Sequence, residues 1–424
     1  MRTTRPPLRT ALACCLLAVA ALVSTGCSAE EDRTLVVLGP WTDGEEKPFE
    51  ATLKKISERT GDTYVYKGTR SLRETLVAQL RTDTPPDVAI LNGQGELAEY
   101  ARDGDAQPLP EGVAEAAIGP WSPRITLLDK DGEPRQHSYW VPVRVDLKSI
   151  VWSRPDTPDM AKDRGWCLGM ASGATSGWPG TDWIEDLLLQ RHGHSVYEDW
   201  ATGRLKWDDW RVKDAWRSWQ TLLEEGGDDV GKDALATPFV ARNQGLLDSR
   251  DCTLEHQGSF IRRYYGDDVM PAPTSDFVPG PAGPQTAFEV SGDMAAVFTP
   301  SDAAWTLMKQ LTSRETRDDW AAAAKPAERP FFPDRTAGPG ALTKGTEKVL
   351  ELFREADDLC FDASDAMPST LRGAFQRAVL EFLQNPSDDK LLDGLLRQLE
   401  AERQLQWDAG AFAIDDLCGS LPDG

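Results

Sequence analysis

The chain has 424 residues, 40% of them hydrophobic and 27% charged, with 69 acidic against 46 basic side chains and a formal net charge of −23. That length allows two or three domains and that composition a well-filled core, whereas such acidity excludes charge-driven binding to nucleic acid or anionic lipid. With 35 glycines and 29 prolines, an all-helical fold is excluded as well.

The first residues read as an export signal rather than as part of the fold. Arg2, Arg5 and Arg9 precede an apolar run from Ala11 to Val23, then Ser24-Thr25-Gly26-Cys27. The run is too short for an ordinary membrane span. The small-small-Cys ending resembles the lipobox of bacterial lipoproteins, although Ser24 stands where leucine is usual. Residues 1–26 would then be removed, Cys27 would carry lipid, and 27–33 would be a tether. Losing the three leader arginines takes the formal charge from −23 to −26. Four cysteines remain beyond Cys27: Cys167, Cys252, Cys360 and Cys418. An even number in an exported chain reads as two disulfides, with three pairings open. Cys167–Cys252 and Cys360–Cys418 each stay within one part of the chain and are favoured. No close CxxC spacing points to a metal, and no cofactor motif is present.

From Thr34 the pattern alternates strand and helix. Thr34 to Leu38 (TLVVL) is a buried-strand pattern running into a turn-rich loop, Gly39 to Gly44. Glu50 to Arg59 is helical, with Phe49, Leu53 and Ile56 on one face. Tyr64 to Tyr66 and Asp87 to Leu91 are further strands around a helix from Leu72 to Thr82, which Pro85 and Pro86 end. Such alternation predicts a mainly parallel sheet with crossover helices, whose ligands sit beyond the carboxyl ends of the strands. That rule gathers Trp41, Arg70 and Asn92 on one edge. Tyr139 to Trp152 is a long strand-like run interrupted at Pro142, suited to leaving one lobe and entering another. Trp200, Trp207, Trp210, Trp216 and Trp219 repeat at helical spacing and read mostly as helix packing. The proline-rich stretch Met270 to Thr286 reads as a second crossing. Helices follow at Asp302 to Gln310 and, beyond Gly338, through Leu350 to Phe353, Leu371 to Leu383 and Leu391 to Leu405.

The most informative stretch is Trp166 to Leu189, WCLGMASGATSGWPGTDWIEDLLL. A small-residue loop with Trp178 and the Pro179-Gly180 turn leads into a helix. Thr181 or Asp182 is placed to cap it, and Ile184, Leu187 and Leu188 form its apolar stripe. An aromatic face beside a helix N-terminus suits a polar ligand with apolar faces, such as a sugar; the competing reading is that Trp178 and Trp183 pack a core. Glu185-Asp186 and Asp208-Asp209 read as solvated helix faces, His192 and His194 as loop residues, and His137 and His256 as isolated.

These blocks resemble the extracellular solute-binding lipoproteins of ABC importers, in the carbohydrate-binding (α-glucoside/maltose-type) branch common in actinobacteria. The similarity rests on GPWTDGEEKPFE, TPPDVAILNGQGELAEYARDGDAQPL, YWVPVRVDLKSIVW and the tryptophan-rich stretch above. LEHQGSFI, VSGD and FDASDAMP follow in the same order. Three cleft-edge stretches depart from the pattern: the shortened segment Arg154 to Gly165, the loop Asn92 to Gly95, and the loop Arg329 to Asp334. The resemblance implies a two-lobed, periplasmic-binding-protein-like α/β fold of type II. Lobe I would span 34–143 plus 287–337 and lobe II 144–286 plus 338–424, with a hinge between them. It implies a monomer that takes a neutral solute, a sugar, and hands it to permease subunits.

Such a cleft needs flat aromatic surface and a few fixed polar groups. Trp41, Trp178 and Phe332 are the candidate stacking residues, and Asp182, Asp293, Arg70 and Gln257 the candidate polar contacts. An exported glycan hydrolase is the alternative from another class, and a divergent non-transport lipoprotein on the same scaffold a third. The chain has no HExxH, GxSxG or phosphate loop to support catalysis, so it is not expected to be an enzyme.

Overall fold

Two long strands that run side by side organise the fold. The computed structural model describes residues 34–128, 132–154, 165–225, 230–241, 243–278 and 285–419. The export signal, Cys27 and the tether lie outside the described residues.

The first third alternates as the sequence predicts: β1 (Thr34–Gly39), α1 (Lys47–Thr60), β2 (Thr63–Gly68), α2 (Leu72–Arg81), β3 (Val88–Leu91), α3 (Gln94–Asp103) and a short α4 (Glu111–Ala114). A hairpin, β4 (Ile125–Leu128) and β5 (Pro134–His137), precedes β6 (Trp140–Leu147) and β7 (Ile150–Ser153). Helices α5 (Trp178–His192), α6 (His194–Ala201), α7 (Trp210–Glu225), α8 (Val230–Ala236) and α9 (Leu246–Ser249) come next. Then follow β8 (Leu254–His256), β9 (Met270–Pro273), β10 (Ala287–Val297), α10 (Asp302–Leu311) and α11 (Arg314–Ala323). The chain closes with α12 (Lys344–Glu355), β11 (Asp358–Phe361), α13 (Ala363–Ala366), α14 (Ser369–Phe382), α15 (Asp389–Asp408) and β12 (Cys418–Gly419).

The main sheet has the order β12-β11-β10-β3-β1-β2, with β6 on the other edge of β10. β1 pairs in parallel with β2 and β3, and β10 in parallel with β11. β10 changes partner along its length: Ala287–Val290 lie beside β11, whereas Met294–Val297 lie antiparallel to β3. Residues 287–290, assigned from sequence to the first lobe, therefore pair with a strand from the other side. Antiparallel β6 pairs with β10 from Val290 to Ala296, and the register slips between Asp293 and Met294, leaving one extra residue, Val143, on β6. This is a β-bulge, the usual place where a strand bends. Pro142 sits at it without ending the strand, because a bulge tolerates a missing amide donor. The break in the Tyr139 to Trp152 run comes instead at Lys148-Ser149, between β6 and β7. β7 joins β8 and β9 in a separate antiparallel sheet. Of the stretch Met270 to Thr286, where a second crossing is expected, Met270–Pro273 form β9 in that sheet, and 279–284 lie outside the described residues.

Alternation along the buried strands feeds two apolar clusters. Leu35, Val37, Val88 and Ile90 face α1, α10 and α11, with Phe49, Leu53 and Ile56 of α1 buried against them. Leu38, Ala89 and Leu91 face the opposite way and join the larger cluster under α5, α7, α14 and α15. Continuous apolar runs such as TLVVL are what a strand covered on both faces requires. Trp200, Trp207, Trp216 and Trp219 are at most 1% exposed, whereas Trp210 is 68% exposed. Two disulfides, Cys167–Cys252 and Cys360–Cys418, are formed. Among the described residues no helix is long and apolar enough to cross a membrane.

Candidate functional site

The bulge between Asp293 and Met294 gathers the loops that follow β1, β2 and β8. Arg144, on β6 at the bulge, donates through Nε to Asp293 (2.8 Å) and through Nη1 to Glu45 of the β1–α1 loop (3.1 Å). Glu45 also holds Arg263 at 3.1 Å. Arg262 reaches Asp146 (3.3 Å), and Ser259 donates to the same carboxylate (2.6 Å). Burial raises the Asp293 carboxyl, opposed by Arg144, while the Arg144 guanidinium is raised because Asp293 and Glu45 outweigh its own desolvation. Burial lowers Arg262 to about 10. Tyr264 stands half-buried beside these groups, with Arg263 5.5 Å from its ring centre and Glu45, Arg70 and Asp43 acting on its hydroxyl. Glu45, Arg144, Arg263 and Tyr264 were not picked out from sequence. A carboxylate two residues beyond the turn at Asp43 and the RRYY run were the only signals.

A second, aromatic group lies at the start of α5. The Trp178 ring is half-buried, 5.1 Å from Phe239 and 5.9 Å from Phe260 in tilted contact. Gly177 makes this entry possible: its φ is +103°, and a Cβ there would lie 2.5 Å from the Gln376 carbonyl oxygen. α5 has no side-chain N-cap. Thr181 and Asp182 lie inside the helix rather than at its cap, and Thr181 donates back to the Trp178 carbonyl (3.0 Å). A water-sized cavity, about 10 Å³, adjoins this turn between Met170, Pro179, Trp183, Glu255, His256 and Gln257.

Beneath Trp178 lies a buried charged cluster. Lys148 Nζ meets Asp182 (2.9 Å), Asp362, and more loosely Glu289 (3.5 Å). Glu185, wholly buried, accepts from the Ser364 amide (3.2 Å). Glu185 and Asp186 are thus interior residues, contrary to the solvated face expected of them; the first belongs to this cluster and the second holds His256 Nε2 at 2.8 Å. His256, stacked 4.3 Å from Trp183, is accordingly not isolated. Desolvation pushes Asp182 up to about 6 and raises Glu185 and Glu289 well above the carboxylate range, whereas Lys148 holds Asp362 down against its burial. Asp182, Glu289 and Asp362 have oxygens within 4.8 Å of one another, but the lysine already occupies that place.

The expected site residues therefore divide. Trp178 keeps a partly open face at the edge of α5. Asp293 lies in the Arg144 network, and Arg70 is exposed, 3.6 Å from Asp43. Gln257 is buried beside the small cavity, its Oε1 accepting the Gly258 amide. Asp182 points into the Lys148 cluster. Trp41 and Phe332 offer no free face. Trp41 is 2% exposed, packed among Phe49, Tyr66 and Trp320 beneath Arg144, and Phe332 is fully buried near Trp320. Both are core residues: the β1–α1 loop folds Trp41 back onto α1 and α11, and the turn Phe332–Thr336 packs Phe332 against Trp320 of α11. Asn92 donates to Asp365 (3.1 Å) rather than joining Arg70. His192 and His194 end α5 and begin α6, and His192 meets Asp214 at 3.0 Å. Asp209 is tied to Arg211 (2.8 Å) just before α7.

No family model matches the chain. Two relatives are similar along most of its length. The osmoprotective compounds-binding protein GgtB of Synechocystis is 28% identical, covering 92% of this chain and 98% of its own. The alpha-glucosides-binding periplasmic protein AglE of Rhizobium meliloti is 26% identical, covering 86% of each. Among solved structures, a chitin oligosaccharide binding protein superposes with a TM-score of 0.66 at 16% identity, over 88% of this chain and 98% of that one. The bacterial solute receptor AcbH gives 0.64 at 14% identity over the same shares. The chain thus has the two-lobed α/β fold of the type II solute-binding class, with the partner exchange along β10 at the centre of its main sheet.

Proposed function

We propose that this chain is the extracytoplasmic solute receptor of an ABC importer, taking a sugar or a related polyhydroxy compound between its two lobes and passing it to permease subunits. The chain is a binding protein, not an enzyme. The observation that carries the reading is likeness to two binding proteins along nearly the full length of all three chains. The names of those relatives point to glucosides and osmoprotective compounds. The geometry supports the same class: a half-open tryptophan with two phenylalanines provides apolar surface for a ring face. The network of Arg144, Arg263, Glu45 and Asp293 pairs its charges, which suits a neutral solute rich in hydroxyls. Closing two lobes on such a solute would shift the open-to-closed equilibrium by contacts that both lobes share. The lobes would be 34–143 plus 287–337 and 144–286 plus 338–424 with a hinge between them, a reading that the change of partners along β10 at its bulge supports. Cys27 would anchor the mature chain by lipid, as a monomer, on the outer face of the cell membrane.

The test is calorimetric titration of the purified protein with galactose, maltose, raffinose, chitobiose, methyl α-D-glucoside and ribitol. Binding of at least one with a micromolar or tighter Kd is expected; no binding by any, with a cooperatively melting protein, would overturn the reading. A Cys27→Ser variant expressed in the producing cell should appear in the medium rather than with membranes.

A further inference from the structure

We propose that Lys148 is a positioning residue for the solute site, its ammonium being the point that fixes the Trp178-bearing helix against the crossing strands and the loop before α13. This rests on the reading of Trp178 as a solute contact. Trp178, Asp182 and Glu185 follow one another at i, i+4 and i+7 on α5 and so share one face. Exposure falls along that face from the half-buried Trp178 to Asp182 at 4% and Glu185 at 0%. The tryptophan at the mouth and the carboxylates below it therefore move as one body.

Lys148 pairs with Asp182 and acts on Glu185 through its field. It links α5 through Asp182, β10 through Glu289, and the segment after β11 through Asp362, whose carboxylate also caps α13 by accepting from Asp365 N (2.9 Å). α13 in turn reaches α3 on the far side of the crossing, because Arg372 bridges Asp365 (2.9 Å) and Glu96 (3.1 Å). The backbone is committed to this placement. Ser149, 1% exposed, sits at φ +57°, a left-handed conformation that costs a non-glycine residue free energy. It is pinned there by its hydroxyl, which accepts from Glu289 N (3.0 Å), and its carbonyl, which accepts from Thr274 N (3.1 Å). That turn directs the preceding lysine inward.

The cluster carries more acid than one ammonium can neutralise. Both oxygens of Glu289 and Oε1 of Glu185 are buried without a hydrogen-bond partner. The ionisable groups facing Lys148 are Asp182 and Glu185 from α5, Glu289 from β10 and Asp362 after β11. Tyr197 of α6 and the Asp186–His256 pair border them. Without the ammonium, mutual repulsion would drive α5 outward wherever the carboxyls are ionised, and it would ease as acidification protonates them.

The test uses Lys148→Met and the tightest ligand of the sugar and polyol panel above. At pH 8 K148M should bind about tenfold or more weakly than wild type. At pH 5, where protonated carboxyls stand in for the ammonium, most of that loss should be recovered, by a factor larger than any change wild type shows between the two pH values. Melting curves at both pH values accompany the titrations, because a merely structural lysine would change affinity only through the folded fraction. Lys148→Met with Glu289→Gln removes one carboxyl along with the ammonium and guards against misfolding of the single variant; it should fold and, without the anchor that Lys148 gives Asp182 and Asp362, still bind weakly at pH 8. Wild-type affinity at pH 8 in either folded variant, or an equal loss at both pH values, would overturn the inference. An unfolded double variant would overturn it as well, since the ammonium would then serve the fold rather than the site. Failure of wild type to bind any of the panel would instead remove the function proposed above.

Discussion

Two charged groups flank the crossing strands, and they solve the problem of burial differently. At the bulge, Glu45, Asp146 and Asp293 meet Arg144, Arg262 and Arg263, so each carboxylate has a guanidinium partner within 3.3 Å. Under α5, Asp182, Glu185, Glu289 and Asp362 share one ammonium. Buried charges are tolerated when paired and otherwise give up their charge. The balanced group can therefore stay ionised and present fixed donors and acceptors, whereas the acid-rich group must hold protons. One is suited to hydroxyl recognition at a seam. The other is suited to holding a helix in place, with a stability that depends on pH.

The largest effect should come from breaking the balance. Arg144→Met leaves Glu45 and Asp293 without their shared partner and should cost about 3–5 kcal/mol of stability, read from urea unfolding. If it costs less than about 1 kcal/mol, the two groups do not differ in the way described. Next comes Glu289→Gln, which removes an excess carboxylate from the other group. The folded Glu289 carboxyl is raised above its unfolded value of about 4.3. Its contribution is thus fully present below that pH and is lost as pH rises toward the folded value. Wild type should therefore lose stability between pH 5 and 8, and E289Q should lose less, gaining roughly 1 kcal/mol over wild type at pH 8. A melting-temperature series across that range checks the sign; a steeper fall in E289Q would refute it. The smallest effect is Glu45→Gln, which keeps an acceptor for Arg144 and Arg263 but removes the charge. It should cost about 1 kcal/mol, nearly the same at low salt and at 0.5 M NaCl because the pair is largely shielded from solvent.

What could be read from the chain alone follows the same division between pattern and partner. The strand and helix order from Thr34 to Leu91 was legible, because buried strands and amphipathic α1 leave period-specific signatures at Phe49, Leu53 and Ile56. The pairings Cys167–Cys252 and Cys360–Cys418 were favoured among three because each stays within one part of the chain, and both are formed. Trp178 was singled out from its loop, and it keeps its partly open face. Trp41 and Phe332 were misjudged for one reason: an aromatic in a turn-rich loop looks the same whether the loop stands open or folds back onto α1 and α11. Glu185-Asp186 was misjudged because α5 is buried on its polar as well as its apolar face, and two adjacent acids ordinarily mark solvent. The groups that offset them, Lys148 for Glu185 and His256 for Asp186, stand far away in sequence, so spacing could not connect them. The networks of Glu45 with Arg263 and of Glu96 with Arg372 were equally invisible, being products of the strand exchange along β10.

The central claim is that solute is held beside the half-buried Trp178. Calorimetry of wild type and Trp178→Ala with the same bound sugar, alongside their melting curves, tests it most directly. The account predicts a loss of about 10- to 100-fold in affinity with a melting temperature within a few degrees of wild type. Unchanged affinity in a folded W178A would contradict it.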